Sequence, residues 1–549
     1  MYSMSLAKSI FLYFRKTIFY CTLLFLITFS NYLEAQKKLE IYQLQVTAKE
    51  YFDNYKYHLA LPVYLTLYQL NPEVSEYKYA IAYCYLFLDK NEKALPFFQL
   101  CLQEPEKYPL QMMYYAAKAY HLSGKYDFAL KYFEIYKNYL SQNKKNIKNG
   151  MVASAERDIR ICSTAKELSA KPNGIKITNM GGTINTEYPE YGPVVSADQS
   201  ILIFTSNRPN TTGGNIDPID GKYFEDIYIC YHTDTGWSIP EKMGTNINTF
   251  GHDASIGLSA DGQKLILYRY SEATATFKAS GDLYISELNG NTWMPAVKMS
   301  ENINSSGWEP SASLSSDEKT LFFTSDRKDG KGGTDIYSIK KLPHGEWAMP
   351  QNLGDIINTP YDEDSPYLHP DGKTLYFSSN GHNTMGGYDI FKSKWDEDLK
   401  TWSIPINIGP PINTPHDDIH FSWSADGRRV FFSSIRSEGF GDRDLYYADL
   451  NTDAAEVMLL KGRVLDSTSK QPISAKIYIS DKPSNDIIES ASSNSETGKY
   501  LLLFSEGKGY RIEIQAKGYE TIIQDVNIEE LHEFKEIHQD FFMQKLDEN

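Results

Sequence analysis

Ile357-Asn-Thr-Pro-Tyr-Asp-Glu363-Asp-Ser-Pro-Tyr-Leu-His-Pro-Asp371-Gly-Lys-Thr-Leu-Tyr-Phe-Ser-Ser379 is one copy of a pattern that occurs five times in this chain. Each copy opens on Ile-Asn, at Ile184, Ile247, Ile303, Ile357 and Ile412, with intervals of 63, 56, 54 and 55 residues. Fourteen residues after each Ile comes an Asp (Asp198, Asp261, Asp317, Asp371, Asp426), set in a turn such as Ser-Ala-Asp-Gly. A short apolar run follows: ILIFTS, LILYRY, LFFTS, LYFSS and VFFSS. A second Asp then opens another apolar stretch, at Asp226, Asp282, Asp335, Asp389 and Asp444. The first four copies close on Trp and Pro (Trp237/Pro240, Trp293/Pro295, Trp347/Pro350, Trp402/Pro405).

Self-similarity at this period, built of short β-branched and aromatic runs between turn signals, predicts a β-propeller with four antiparallel strands per blade. Asp-Gly pairs supply the tight turns. Pro in the last strand suits an outer edge, where a missing N–H breaks no ladder bond. The fifth copy lacks the Trp-Pro strand. Residues 177–184 (Ile-Thr-Asn-Met-Gly-Gly-Thr-Ile) match the end of that strand in the first copy, Pro240 to Ile247. The reading is therefore five blades, the last completed by the N-terminal strand.

The Ser-x-Asp-Gly, Phe-x-Ser and Gly-Gly-x-Asp-Ile-Tyr elements resemble the WD40-like repeats of TolB-type propellers, above all those of Bacteroidetes cell-envelope proteins.

Residues 38–170 have helical periodicity. Ala-Leu pairs recur at Ala60, Ala94 and Ala129, intervals of 34 and 35, each followed by aromatics (Tyr64; Phe97/Phe98; Tyr132/Phe133). Gly124-Lys-Tyr126 stands where a turn between paired helices belongs. This period predicts a tetratricopeptide (TPR) α-solenoid of three repeats, with 150–169 as a capping helix. Residues 141–150 read as a basic, solvated loop. From 459 to 545, seven apolar runs alternate with turns, among them Asp466-Ser-Thr-Ser, Asp481-Lys-Pro-Ser and Glu506-Gly-Lys-Gly, which predicts a small β-sandwich. Gly462-Arg-Val464, Thr497-Gly-Lys-Tyr500 and Ala516-Lys-Gly-Tyr519 resemble the carboxypeptidase regulatory-like, transthyretin-like domain.

Lys8, Arg15 and Lys16 followed by an apolar core, Thr17–Phe29, read as a secretory signal cleaved after Ala35. The organisation expected is a multidomain α plus all-β chain: signal peptide 1–35, TPR array 36–170, five-bladed propeller 171–455 and sandwich 456–549. Residues 1–35 carry three basic and one acidic residue, so the remainder holds 52 basic and 70 acidic residues, net −18. That charge argues against nucleic acid and anionic membrane surfaces as partners. Cys84, Cys101, Cys162 and Cys230 have the spacing of neither a disulfide framework nor a zinc site; the three in helical patterns are expected in the core.

Six residues after each Ile lies a carboxylate: Glu190, Asp253, Glu309, Glu363 and Asp418. This position precedes the innermost strand of a blade, so the five would ring one mouth of the channel. They would there hold Ca2+ or another cation, or receive a basic side chain from a partner. Repetition itself favours a structural role, each carboxylate accepting backbone N–H bonds of the adjacent blade, since every blade needs the same joint. The insertion in the first blade, about Asn210–Phe224, is a candidate contact loop. His252 and His416, beside two of the carboxylates, are expected to be ordinary loop residues. His532 and His538, six apart, form no zincin pair, and no hydrolase, metalloprotease or phosphate-loop motif occurs. No catalytic or cofactor-binding residue is nominated.

Order and content together resemble the PorE-type, OmpA-family envelope proteins of type IX secretion and their paralogues. The family normally continues into an OmpA-like, peptidoglycan-binding domain, which this sequence lacks, so peptidoglycan binding is not carried over. The resemblance implies an exported, periplasmic, non-enzymatic scaffold associated with the outer membrane and partnered by an outer-membrane β-barrel. The alternatives are a glycan- or peptide-binding receptor using the propeller mouth and, less favoured, a propeller lyase or peptidase.

Overall fold

The structure, a computed structural model, describes residues 2–214, 216–217, 221–270, 281–369, 371–436, 438–450, 457–482, 484–505, 509–528 and 534–546. Among residues 2–30, only the side chains of Thr22, Leu24 and Phe29 are described, and that of Glu489 is not. The side chains of Lys8, Arg15, Lys16 and Cys21, the turn at 506–508, parts of the first-blade insertion and His532 thus lie outside the described residues. Two compact units divide the chain, Met1–Glu156 and Arg157–Asn549.

The first unit is helical. Its helices are α1 (Tyr2–Asp53), α2 (Tyr57–Leu70), α3 (Ser75–Phe87), α4 (Asn91–Cys101), α5 (Gln111–Leu122), α6 (Tyr126–Ser141) and α7 (Lys144–Lys148); α8 (Met151–Ser169) contains the division between the units. Residues 2–53 form one helix, within which the expected cleavage point after Ala35 falls. Among the described residues, no helix is long and apolar enough to cross a membrane. The pairs α1–α2, α3–α4 and α5–α6 turn through one residue with positive φ: Tyr55 (61°), Asp89 (54°) and Gly124 (68°). The next residue in each case closes a six-residue helix cap, Lys56 N–H to Tyr51 O, Lys90 to Tyr85 and Lys125 to Tyr120, at 2.8–2.9 Å. The hairpins thus repeat at the expected spacing.

Ala60, Ala94 and Ala129 are fully buried, and Tyr64, Phe98 and Phe133 fill the space one turn on. Cys84, Cys101 and Cys162 are buried and in no disulfide, as expected of core cysteines. The 141–150 segment is not all loop: Asn143 Oδ1 accepts from Lys145 N at 2.9 Å and caps α7.

Aromatic rings run unbroken across the hairpins. Phe52 of α1 meets Tyr57 (5.6 Å) and Tyr83 (5.1 Å), and Tyr83 stacks on Phe87 (4.4 Å) and abuts Tyr115 of α5 (4.6 Å). Tyr79, Tyr83 and Phe87 lie four residues apart on α3, on one face. Phe87 is 46% exposed, and Tyr79, Tyr83 and Tyr115 are half-buried.

In the second unit each sequence repeat forms one antiparallel sheet. The first three strands of each are Glu190–Val195, Ile201–Ser206 and Asp226–Thr233; His252–Leu258, Lys264–Tyr270 and Asp282–Asn289; Ala312–Leu314, Thr320–Ser325 and Asp335–Lys340; Glu363–Leu368, Thr374–Ser379 and Asp389–Asp396; Ile419–Trp423, Arg429–Ser434 and Asp444–Asp449. Short outer strands complete the first four sheets. The fifth is completed by Lys176–Asn179, paired Lys176–Asp449 through Asn179–Tyr446. The N-terminal strand therefore closes the last sheet, as the sequence match implied.

The first strands of successive sheets touch in order, and that of the fifth touches that of the first, so the five sheets form a closed ring. One apolar cluster sits at each joint, including the fifth-to-first joint (Ile184, Leu202, Phe204, Tyr228, Cys230, Leu445). The opening Ile-Asn now has a physical account. Each Ile is buried in a joint, and each Asn reaches back to the preceding sheet. Asn248, Asn304, Asn358 and Asn413 accept from the N–H of Ile227, Leu283, Ile336 and Ile390 at 2.8–2.9 Å. Asn185 does the same to Leu445 of the fifth sheet, at 2.8 Å.

Residues 457–543 form two packed sheets around one core (Met458, Leu460, Ile477, Leu502, Phe504, Ile512 and neighbours). The last two strands pair in parallel with the first, Val457–Asp466. Gly462 sits where a Cβ would lie 1.8 Å from Gln539 O, so only glycine allows that crossing.

Candidate functional site at the centre of the ring

The five repeated carboxylates are each fully buried, one to a sheet. Glu190 accepts from Thr186 N (2.8 Å) and Oγ1 (2.7 Å), Ser206 Oγ (2.9 Å) and Arg208 Nη2 (3.0 Å). Arg208 also donates to Ile184 O at 2.8 Å. Glu309 and Asp418 repeat the set with Ser305, Ser325 and Arg327, and with Thr414, Ser434 and Arg436. In the second sheet Arg269 stands in the serine's place, its Nε 2.6 Å from Asp253. The main-chain N–H of Glu190, Asp253, Glu363 and Asp418 bonds to the carbonyl of Arg443, Glu225, Thr334 and Tyr388 in the preceding sheet, at 2.7–3.0 Å. Each carboxylate is thus a latch that ties the opening loop, the second strand and the joint together. Among the described residues, no group of three or more His, Cys, Asp and Glu side chains is placed to hold a metal ion.

The fourth latch departs from the others. Glu363 accepts from Thr359 N (2.8 Å), Thr359 Oγ1 (2.7 Å) and Ser379 Oγ (2.8 Å). Gly381 stands at the arginine's sequence position, and the next residue, His382, donates from Nε2 to Ile357 O, 2.9 Å away, as the arginines do to the corresponding Ile carbonyl. Burial, with Asp335 nearby, pushes the Glu363 carboxyl up to about 7 against those hydrogen bonds. Burial likewise raises Asp418 to about 6, opposed by Arg436.

One residue beyond the latch the repeats stop agreeing. The positions are Tyr191, Ala254, Pro310, Asp364 and Ile419, then Gly192, Ser255, Ser311, Ser365 and His420. Here the register of the first strand slips in four sheets. Gly192, Ser365 and His420 have φ of 61°, 48° and 56°. Such bulges re-aim side chains, and left-handed backbone at Ser and His is strained.

Polar and aromatic groups collect there. Tyr191 stacks on His420 (5.8 Å), beside Glu225, Arg443 and Tyr268. Burial raises the Tyr191 phenol well above its usual range, and Glu225 adds to it. Burial holds the His420 imidazole down at about 3, with Arg443 adding to it, so it is neutral. Asp364 Oδ1 accepts from Ser311 Oγ and Ser365 N, both at 2.5 Å; burial raises its carboxyl. Tyr388 lies near Asp364 and Asp417, and Arg443 is 3.7 Å from Asp417.

The first-blade insertion is gathered into this end of the ring. Its Asp217 (3.1 Å) and the following Glu225 (3.2 Å) grip His252, whose imidazole rises to about 9: the two carboxylates outweigh the opposing burial. His252 is therefore a charged anchor and not an ordinary loop residue. Its partners lie 27 and 35 residues away in sequence, which hid them. The opening loops add Phe250, Trp308 and Tyr361, 81, 42 and 40% exposed. The signal that finds the whole group is disagreement between aligned repeats beside a position where all agree.

Further along the same strands lies a cavity of about 80 Å3 lined by all five first strands, among them Gly192–Val195, Ser313, Ser365, His420 and Trp423, with Leu503 of the C-terminal sandwich.

No protein-family model matches the chain, and no curated protein matches it. Solved structures do. A protein titled glycoside hydrolase matches at 10% identity and TM-score 0.36, over 52% of this chain and 94% of its own. An α-L-arabinofuranosidase from Lactobacillus brevis matches at 14% and 0.34, over 50% and 94%. A hydroxyquinol 1,2-dioxygenase from Pseudomonas putida matches at 12% and 0.14, over 18% of this chain and 58% of its own.

Proposed function

We propose that this protein is a non-enzymatic scaffold of the bacterial cell envelope. It is exported to the periplasm, held at the outer membrane through a protein partner such as a β-barrel, and works in type IX secretion or a related assembly. In this reading the hairpins are a TPR array, the ring is a five-bladed TolB-type propeller, and the C-terminal sheets are a carboxypeptidase regulatory-like sandwich. The observation that carries it is the half-exposed aromatic stripe of α3 and α5. Aromatic side chains bring large contact area at low entropic cost, and here neighbouring rings already fix them. A shallow stripe suits an extended peptide segment.

The test uses full-length protein in cross-linked cell envelopes. Wild type recovers an outer-membrane protein, and Tyr83→Ala/Phe87→Ala loses it while the ring unit melts unchanged. Recovery of the same protein by both forms, or of none by wild type, overturns the proposal. A second reading, a receptor for a soluble glycan or peptide, is favoured by the non-repeated polar and aromatic groups at the ring's centre. Ligand binding that survives removal of the stripe supports that reading.

A further inference from the structure

We infer that the central cavity of the ring binds a small, uncharged, hydroxyl-rich molecule, such as the terminal sugar unit of a neutral glycan. The inference rests on the receptor reading and narrows its ligand.

The lining is the first ground. Among the described residues it contains no carboxylate, ammonium or guanidinium group, and the one imidazole among them, His420, is held neutral. An ion entering would lose its hydration with no opposite charge to receive it. The second ground is unsatisfied hydrogen bonding. Ser313 Oγ and Trp423 Nε1 have no partner among the described residues, and their side chains are more than nine-tenths buried. Both residues line the cavity. A buried donor left unpaired is costly, and a ligand hydroxyl relieves that cost. Trp423 offers a donor, and a serine hydroxyl both gives and accepts, so a ligand oxygen of either role is served.

Size is the third ground. About 80 Å3 corresponds to roughly half a dozen water positions, the scale of one sugar ring. Trp423 and Phe421, whose rings lie 5.9 Å apart, supply an aromatic wall for the apolar face of such a ring. Leu503 forms part of the boundary, so the C-terminal sandwich takes part in the site.

The full chain is titrated by calorimetry with methyl glycosides of galactose, xylose, arabinose and N-acetylglucosamine, and with glucuronate and glucosamine. At least one neutral glycoside is expected to bind, with its charged counterparts at least about tenfold weaker. Ser313→Ala is expected to weaken binding about three- to tenfold with an unchanged melting temperature. Trp423→Phe, which removes the N–H and keeps an aromatic ring, is expected to do the same. Equal binding of charged and neutral sugars overturns the inference. If neutral sugars bind and Trp308→Ala abolishes binding while Ser313→Ala has no effect, the receptor reading stands and this cavity is not its site. Absence of binding by every probe overturns both.

Discussion

Glu190 and Tyr191 are neighbours in one strand, yet they belong to two different layers of the ring. The latch layer holds Glu190, Asp253, Glu309, Glu363 and Asp418, all fully buried and all tied to the same kinds of partner. The central layer, one or two residues on, holds Tyr191, Asp364, Ser365 and His420; the first of these positions differs in all five sheets, and the second is Ser in the middle three but Gly192 and His420 in the first and fifth. Five joints make one mechanical demand five times over, so the sequence repeats. A single ligand is not five-fold symmetric, so the residues that meet it must differ. Repetition therefore marks assembly, and its local failure marks where the proposed ligand would meet the ring.

Substitutions that break one layer and spare the other separate the two roles. The largest effect is expected from Glu190→Ala, which leaves Arg208 buried without its carboxylate and should remove about 3–5 kcal/mol of stability. Urea unfolding followed by tryptophan fluorescence measures it. Next comes the exceptional latch. Folding raises the Glu363 carboxyl from its ordinary 4.5 to about 7. The folded form then holds a proton that the unfolded chain has released, so its stability contribution is complete below about pH 4.5. It is lost as pH rises towards 7, by on the order of 3 kcal/mol. The groups facing this latch are Thr359, Ser379 and Asp335, with His382 and, beyond it, Lys331. His382→Arg should flatten the unfolding free energy across that window; an unaltered pH profile would show that the missing guanidinium is not the cause.

A smaller effect is expected where the ring closes. Asn179 Oδ1 accepts from Gly181 N and Asn185 Nδ2, and its Nδ2 donates to Asp444, at 2.7–2.8 Å. Asn352 and Asn407 make the same three bonds in the third and fourth sheets. Asn179→Ala should lower stability by about 1–3 kcal/mol and speed amide exchange first in Asp444–Asp449. The smallest effect lies in the helical unit. Tyr55→Gly should raise its stability by about 0.5–1 kcal/mol, because the turn already demands positive φ.

The repeats, the hairpin spacing, the buried alanines and the strand that closes the fifth sheet were all legible, because each is set by local pattern and recurs. The carboxylates were legible as positions, and their repetition already pointed to the joint. The His252 grip was not, because Asp217 and Glu225 reach it only after the insertion folds back. Nor was the central cluster, since aligning the repeats on what they share discards Tyr191, Asp364 and His420. The short helix α7 was missed because its three lysines, one asparagine and single isoleucine carry no apolar period.

The most direct test of the two-layer account is to measure unfolding free energies for two sets of variants side by side. The latch set is Glu190→Ala, Glu309→Ala and Asp418→Ala, and the central set is Tyr191→Phe, Asp364→Asn and Ser365→Ala. The account predicts losses of about 3 kcal/mol or more in the first set and under about 1 kcal/mol in the second. Equal losses in both would contradict it.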